Sequence, residues 1–208
     1  MFRLRQKISA EYFDYTLLME ALSTYKSPRA KVTNLLKSEE IIRIRKGLYV
    51  FGPEYRKSLV SLEVLANQIY GPSYVSLEYA LAFYGLIPEF VNEITSVTTK
   101  RNKQYHTPLG SFSYAVMPIS IFSLGYTWLE MDGNAFLIAT PEKAIADLFY
   151  HRNFKIDSTN ELEDLLFCDL RLEENAVEKF HLRILTDVLK AGGSPVLSIL
   201  IDWIRSRK

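Results

Sequence analysis

The sequence is short of several things that would narrow its chemistry. It has a single cysteine, Cys168, in 208 residues, so no internal disulfide can staple it. That fits a reducing, cytoplasmic setting, with Cys168 expected as a small buried apolar residue. It has three histidines and no HExxH, CxxC, GxSxG or P-loop spacing, which leaves the usual signatures of metal, redox, acyl-transfer and phosphate-cradling chemistry unrepresented. It has no long apolar run. Residues 195–204 come nearest, but Ser198 and Asp202 break them, and they fall well short of the ~20 residues of a membrane span. The first residues, Met1-Phe2-Arg3-Leu4-Arg5-Gln6-Lys7, meet Ser9, Glu11 and Asp14 rather than an apolar stretch, so no signal peptide is expected. Internal repeats and low-complexity tracts are also missing.

What is present is ordinary in amount and uneven in place. Hydrophobic residues make up 48% and charged residues 24%, values that exclude disorder, collagen and coiled-coil arrays. The length allows one large domain or two small ones. The net charge of +1 hides an asymmetry: residues 1–57 hold 12 Lys or Arg against 6 acids, and the remainder 13 against 18. A basic segment joined to an acidic one is the electrostatic outline of a nucleic-acid reader attached to something else.

The basic segment has a matching order of elements. Asp14 is a plausible N-cap for a helix whose apolar face is Leu18, Ala21, Leu22 and Tyr25, and which is expected to end near Tyr25. Ser27-Pro28 starts a second helix with Val32, Leu35 and Leu36 buried. Its opposite face shows Ala30, Thr33, Asn34 and Lys37, flanked by Arg29 and Lys31. Two β-rich runs follow, 41–45 and 48–51, separated by Lys46-Gly47, whose glycine permits a tight hairpin turn. Helix, turn, helix and basic hairpin describe a winged helix-turn-helix over residues 1–55. The second helix would enter the major groove of double-stranded DNA, and Arg43, Arg45 and Lys46 would set the wing against phosphate. The bland reading is a small helical subdomain with a hairpin lid and solvated basic residues.

Residues 54–58 read as a linker, and 58–208 as an α+β domain. Two helices open it, one with Leu62, Leu65, Ala66 and Ile69 inward, the other capped by Ser76 and stopped at Gly85. Strands are expected at 94–99, 110–117, 126–131 and 135–139, with an antiparallel sheet the economical reading. Thr140-Pro141-Glu142 is a strong helix start for a helix reaching about Tyr150. Helices are expected over 161–167, along a stripe of Val177, Phe180, Ile184 and Val188, and after Ser194-Pro195. Asp147 and His151, four apart, suit either metal binding or a helix-end hydrogen bond, the second being simpler without a third ligand. His106 is expected in a loop and His181 as a core residue. The run Lys100-Arg101-Asn102-Lys103 reads as a second anionic contact or as a solvated hairpin tip. No catalytic residue, metal ligand set or cofactor is assigned, and an enzyme is not expected.

Several segments together resemble a known family. Ile44-Arg45-Lys46-Gly47-Leu48-Tyr49, Tyr74-Val75-Ser76-Leu77-Glu78-Tyr79-Ala80-Leu81, Tyr84-Gly85-Leu86-Ile87-Pro88-Glu89, Thr95-Ser96-Val97-Thr98 and Thr140-Pro141-Glu142-Lys143-Ala144 are similar to the AbiEi-type abortive-infection antitoxins of bacteria. The likeness spans about residues 15 to 150. It implies a type IV antitoxin whose N-terminal winged helix represses its own operon at inverted repeats, and whose second domain counters a nucleotidyltransferase toxin without requiring a stable complex. For antitoxicity it points to the segments 74–89 and 95–110, where Tyr74, Ser76, Glu78, Tyr84, Lys100, Arg101 and Lys103 are the candidates. Two other classes compete. A regulator that senses a small ligand should carry a sizeable pocket with convergent polar groups, and a nucleic-acid-modifying enzyme should cluster perturbed acids and bases.

Overall fold

Capping and turn chemistry lays out the first third of the chain. The computed structural model describes residues 3–89 and 91–207. A short helix α1 (Arg3–Lys7) and strand β1 (Tyr12–Asp14) lead into α2 (Tyr15–Ala21), where the Asp14 carboxylate accepts from the Leu17 N–H at 2.8 Å. This helix stops one turn before the expected Tyr25, at the point where Ser23 and Thr24 favour turn over helix. Helix α3 (Pro28–Lys37) starts with proline at its first position. Strands β2 (Ile41–Arg45) and β3 (Leu48–Phe51) form the hairpin, turned by Gly47 at φ +88°. The sheet order is β1-β3-β2, antiparallel throughout. A small core of Leu18, Leu22, Val32, Leu35, Ile41, Tyr49 and Phe51, among others, joins the helices to it.

The hairpin has two working faces. Ile41, Tyr49 and Phe51 belong to the small core, whereas Ile44, Leu48 and Val50 belong to the larger core of the remaining chain. Because neighbouring side chains of a strand point to opposite faces, one hairpin serves two units. The expected linker is a 3-10 turn (Pro53–Tyr55) and a few residues pinned by Glu11, whose carboxylate accepts from the Lys57 and Ser58 N–H groups at 2.8 and 3.1 Å and pairs with Arg5.

The second unit is built on α4 (Leu62–Ile69), β4 (Ser73–Val75), α5 (Leu77–Phe83), β5 (Glu93–Thr98), β6 (Lys103–Thr107), β7 (Gly110–Val116), α6 (Ile119–Phe122), β8 (Tyr126–Met131), β9 (Asn134–Ala139) and α7 (Pro141–Arg152). A helical C-terminal third follows: α8 (Thr159–Glu163), a π-helical turn (Asp164–Asp169), α9 (Glu174–Glu178), α10 (Leu182–Lys190) and α11 (Val196–Ser206). The fold is α+β. Its sheet runs β6-β7-β5-β4-β9-β8. The expected antiparallel pairing of β8 with β9 is present, and β6/β7 and β4/β5 are antiparallel too, but β5/β7 and β4/β9 are parallel, so the sheet is mixed and not purely antiparallel. β5 and β7 run parallel because β6, unmarked in the sequence, reverses the chain once more between them and pairs on the far side of β7, while β4, also unmarked, lies between β5 and β9 and runs parallel to β9.

Four smaller expectations are corrected. His106 lies in β6 and not in a loop, its Nδ1 3.0 Å from Ser111 Oγ. His181 is exposed, occupying the position before α10, where its N–H donates to Glu142 Oε1 at 2.9 Å. Cys168 is exposed within the π-helical turn, whose altered pitch rotates it outward. The expected stripe from Val177 to Val188 is shared between two helices, α9 and α10, broken at Phe180-His181.

Candidate functional site

Two surfaces answer to the sequence candidates. The first is the outward side of α3 and the tip of the hairpin. With Val32 and Leu35 buried, the 3.6-residue period turns Arg29, Ala30, Thr33, Asn34 and Lys37 to solvent. Thr33 Oγ1 donates back to the Arg29 carbonyl at 3.3 Å, and Lys31, half-buried, sets its ammonium 5.8 Å from the Tyr25 ring centre. Arg43 and Lys46 are exposed on the hairpin. Arg45 is not available in the same way. Its guanidinium donates to the carbonyls of Lys46 and Gln68 at 3.0 and 3.2 Å, tying the wing to α4. The sequence sets Arg45 beside Lys46 as a grip on phosphate; the irregularity in β2 between Arg43 and Arg45 instead puts it opposite Leu48, on the side of the second unit.

The second set does not converge. Tyr74 and Ser76 are fully buried, and both hydroxyls donate to Asp147 Oδ2, at 3.0 and 2.7 Å. Lys143, one turn earlier on α7 and also fully buried, donates to Asp147 Oδ1. Three donors around one carboxyl describe a carboxylate, and the lysine supplies its counter-charge. Burial pushes the Asp147 carboxyl up and the Lys143 amine down, while their mutual attraction opposes both shifts. Tyr74 is driven far above the usual phenol range by burial and by the neighbouring carboxylate. Asp147 therefore pairs with the residue four before it, and His151, four after, is exposed.

The remaining candidates lie elsewhere. Glu78 pairs with Arg152 at 2.7 Å across the α5–α7 contact. Tyr84, half-buried, follows α5 and meets Phe83 edge-on at 5.4 Å. Lys100, Arg101 and Lys103 are exposed around the β5–β6 connection; Lys100 reaches the Gly71 carbonyl, and Lys103 lies 5.9 Å from the Tyr105 ring centre. Glu78 and Lys103 do line one cleft of about 440 Å³, together with Thr95, Gln104 and Ser113. Leu77, at its edge, adopts a left-handed φ of 61°, a strained conformation for a residue with a Cβ.

Sequence reasoning missed the Lys143–Asp147 pair and the Glu63–Tyr79 hydrogen bond of 2.6 Å, which with burial raises the Tyr79 phenol. The first had a visible signal, oppositely charged residues four apart inside an apolar run. The second joins distant segments and had none.

Among the described residues, no group of three or more His, Cys, Asp or Glu side chains could hold a metal ion, and no helix is long and apolar enough to cross a membrane. No protein-family model matches the chain, and no curated protein sequence matches it.

Proposed function

We propose that the chain is an antitoxin of the AbiEi type, acting in the cytoplasm as a repressor of its own operon and as the counter to a nucleotidyltransferase toxin. The observation that carries this reading is the outward side of α3, where Arg29, Thr33, Asn34 and Lys37 are exposed together beside Arg43 and Lys46 of the hairpin. An α-helix fits the major groove of B-form DNA, and cations on an adjoining hairpin reach the flanking phosphates. The resemblance of the segments between residues 44 and 144 to antitoxins supports the rest. The reading predicts binding to duplex DNA from the gene's own promoter, at inverted repeats, with a log affinity that falls by about 0.9 per neutralised phosphate for each unit of log salt. Fluorescence anisotropy across a salt series tests it, and salt-independent or undetectable binding would end it. Co-expression with the toxin tests protection separately.

The cleft beside Leu77 supports a second reading, a regulator that takes a small polar ligand, because its volume of about 440 Å³ lies within the range of small-molecule sites. A thermal-shift screen with polar metabolites checks it; the reading fails if none raises the melting temperature.

A further inference from the structure

Among the described residues, the six-stranded sheet has two unpaired edges, and they are unlike. The β6 edge carries Lys103, Gln104, His106 and a half-buried Tyr105. Charged and polar side chains on a free edge discourage another strand from adding to it. The β8 edge has no such defence over most of its length. Tyr126, Trp128 and Met131 are 39%, 64% and 43% exposed, and Thr127 and Glu130 are exposed too. Beyond β8, no strand of the described residues pairs with it. An unpaired strand offers a row of N–H and C=O groups whose natural complement is another strand, and a strongly exposed tryptophan is the residue type that most often anchors a contact.

We infer that the β8 edge pairs with the β8 edge of a second copy of this chain, antiparallel about a two-fold axis at Trp128. The sequence of the strand argues for itself as the partner. In an antiparallel pair related by a two-fold axis, opposed side chains share a face, so the positions of each opposed pair must sum to an even number. Centring on Trp128 sets Trp128 against Trp128, Tyr126 against Glu130, and Thr127 against Leu129. That arrangement gives an aromatic pair on the axis, a phenol opposite a carboxylate and no like charges opposed, the combinations that stabilise cross-strand neighbours. The only charged residue of β8 is thereby given a donor. A six-residue strand addition is a small interface, so the dimer is of micromolar strength.

The same hairpin touches the winged unit, since the Tyr12 hydroxyl and Asn134 Oδ1 lie 3.3 Å apart. Pairing through β8 therefore holds two winged units in a fixed two-fold relation. The inference stands on the sheet edge and not on DNA binding; only this last consequence draws on the proposed function.

The test uses the full chain without DNA. Sedimentation velocity from low to high micromolar concentration should show a monomer–dimer equilibrium. In parallel, tryptophan emission should shift to the blue with concentration, because Trp128 becomes covered while Trp203 is buried throughout. Trp128→Glu and Trp128→Lys, each checked for native circular dichroism, should weaken association at least about tenfold by placing like charges on the axis. An equimolar mixture of the two variants should regain it, since glutamate then faces lysine. A protein that stays monomeric at every concentration overturns the inference, and so does a single variant that still dimerises. Failure of the mixture to recover, or growth beyond the dimer as β8 docks on β6, overturns it equally. Loss of DNA binding with an intact dimer would instead bring down the proposed function alone.

Discussion

Helices α3 and α7 both carry charged residues in the midst of apolar ones, and the two put them to opposite uses. On α3 the apolar side is buried and Arg29, Asn34 and Lys37 face water. On α7 every residue from Glu142 to Phe149 is buried, so Lys143 and Asp147 must satisfy each other. A polar group in water is free to be chosen for what it will meet, whereas one taken out of water is chosen for its internal partner. Exposure thus separates residues that can serve recognition from residues that hold the fold, and it moves Tyr74 and Ser76 from the first class to the second.

The largest expected effect tests the buried side of that comparison. Asp147→Ala leaves Lys143 without an anion and two hydroxyls without their acceptor, and should cost about 3 to 5 kcal/mol of stability. Urea unfolding measures it. Replacing both partners, Lys143→Met with Asp147→Leu, should recover the part of the loss due to the unpaired charge, whereas the Tyr74 and Ser76 hydroxyls still lack their acceptor. Asn34→Ala should change stability by less than about 0.5 kcal/mol. Equal losses at Asp147 and Asn34 would break the comparison.

On the exposed side, Asn34→Ala should lose about 1 to 3 kcal/mol of discrimination at one base pair while leaving random-sequence binding unchanged. Competition binding with single-base variants of the operator reads this. Smaller still, Lys37→Ala and Lys46→Ala should weaken every DNA sequence alike and reduce the salt slope by about 0.9 each. Arg45→Ala sharpens the contrast within the wing. Its guanidinium is engaged by the Gln68 and Lys46 carbonyls, so the change should cost about 1 kcal/mol of stability and leave the salt slope alone.

The smallest effect is one of pH. Hydrogen bonds from Trp203 and Arg207 hold the Glu163 carboxyl below its ordinary value of 4.5. A carboxyl lowered on folding contributes stability above its unfolded value, and that contribution is lost as the pH falls through the folded one. Glu163→Gln should therefore lower stability modestly in the neutral region and converge on the parent protein as the pH falls below about 4.5, which flattens the acid limb of the stability–pH curve. A variant that loses stability equally at pH 7 and in acid would show a packing role instead.

What the sequence revealed follows the same division. The cap at Asp14, the proline at the start of α3, the glycine between β2 and β3 and the proline after Thr140 are local signals, and each marked its element. The short strand Tyr12–Asp14 had none, because three residues cannot display a period and their pairing with β3 spans the whole helical pair. Strand β6 was hidden by its polarity: on a free edge neither face needs to be apolar. The parallel pairings were hidden because register between distant strands is decided by packing. Of the candidate site, the α3 residues were legible from a helical wheel alone. The Lys143–Asp147 pair is masked in the sequence by His151, which stands at the mirror spacing from Asp147 as a competing partner.

The two-faced hairpin has a consequence for how such a protein can be taken apart or rebuilt. Ile44, Leu48 and Val50 are buried only because the large core covers them. An N-terminal head cut out at residue 57 and grafted elsewhere would display that row as a bare greasy strip, and the remaining body would carry the matching bald patch. The portable module is therefore the head with a host surface shaped to its back. Exchange of heads between such proteins demands that both sides of this seam change together.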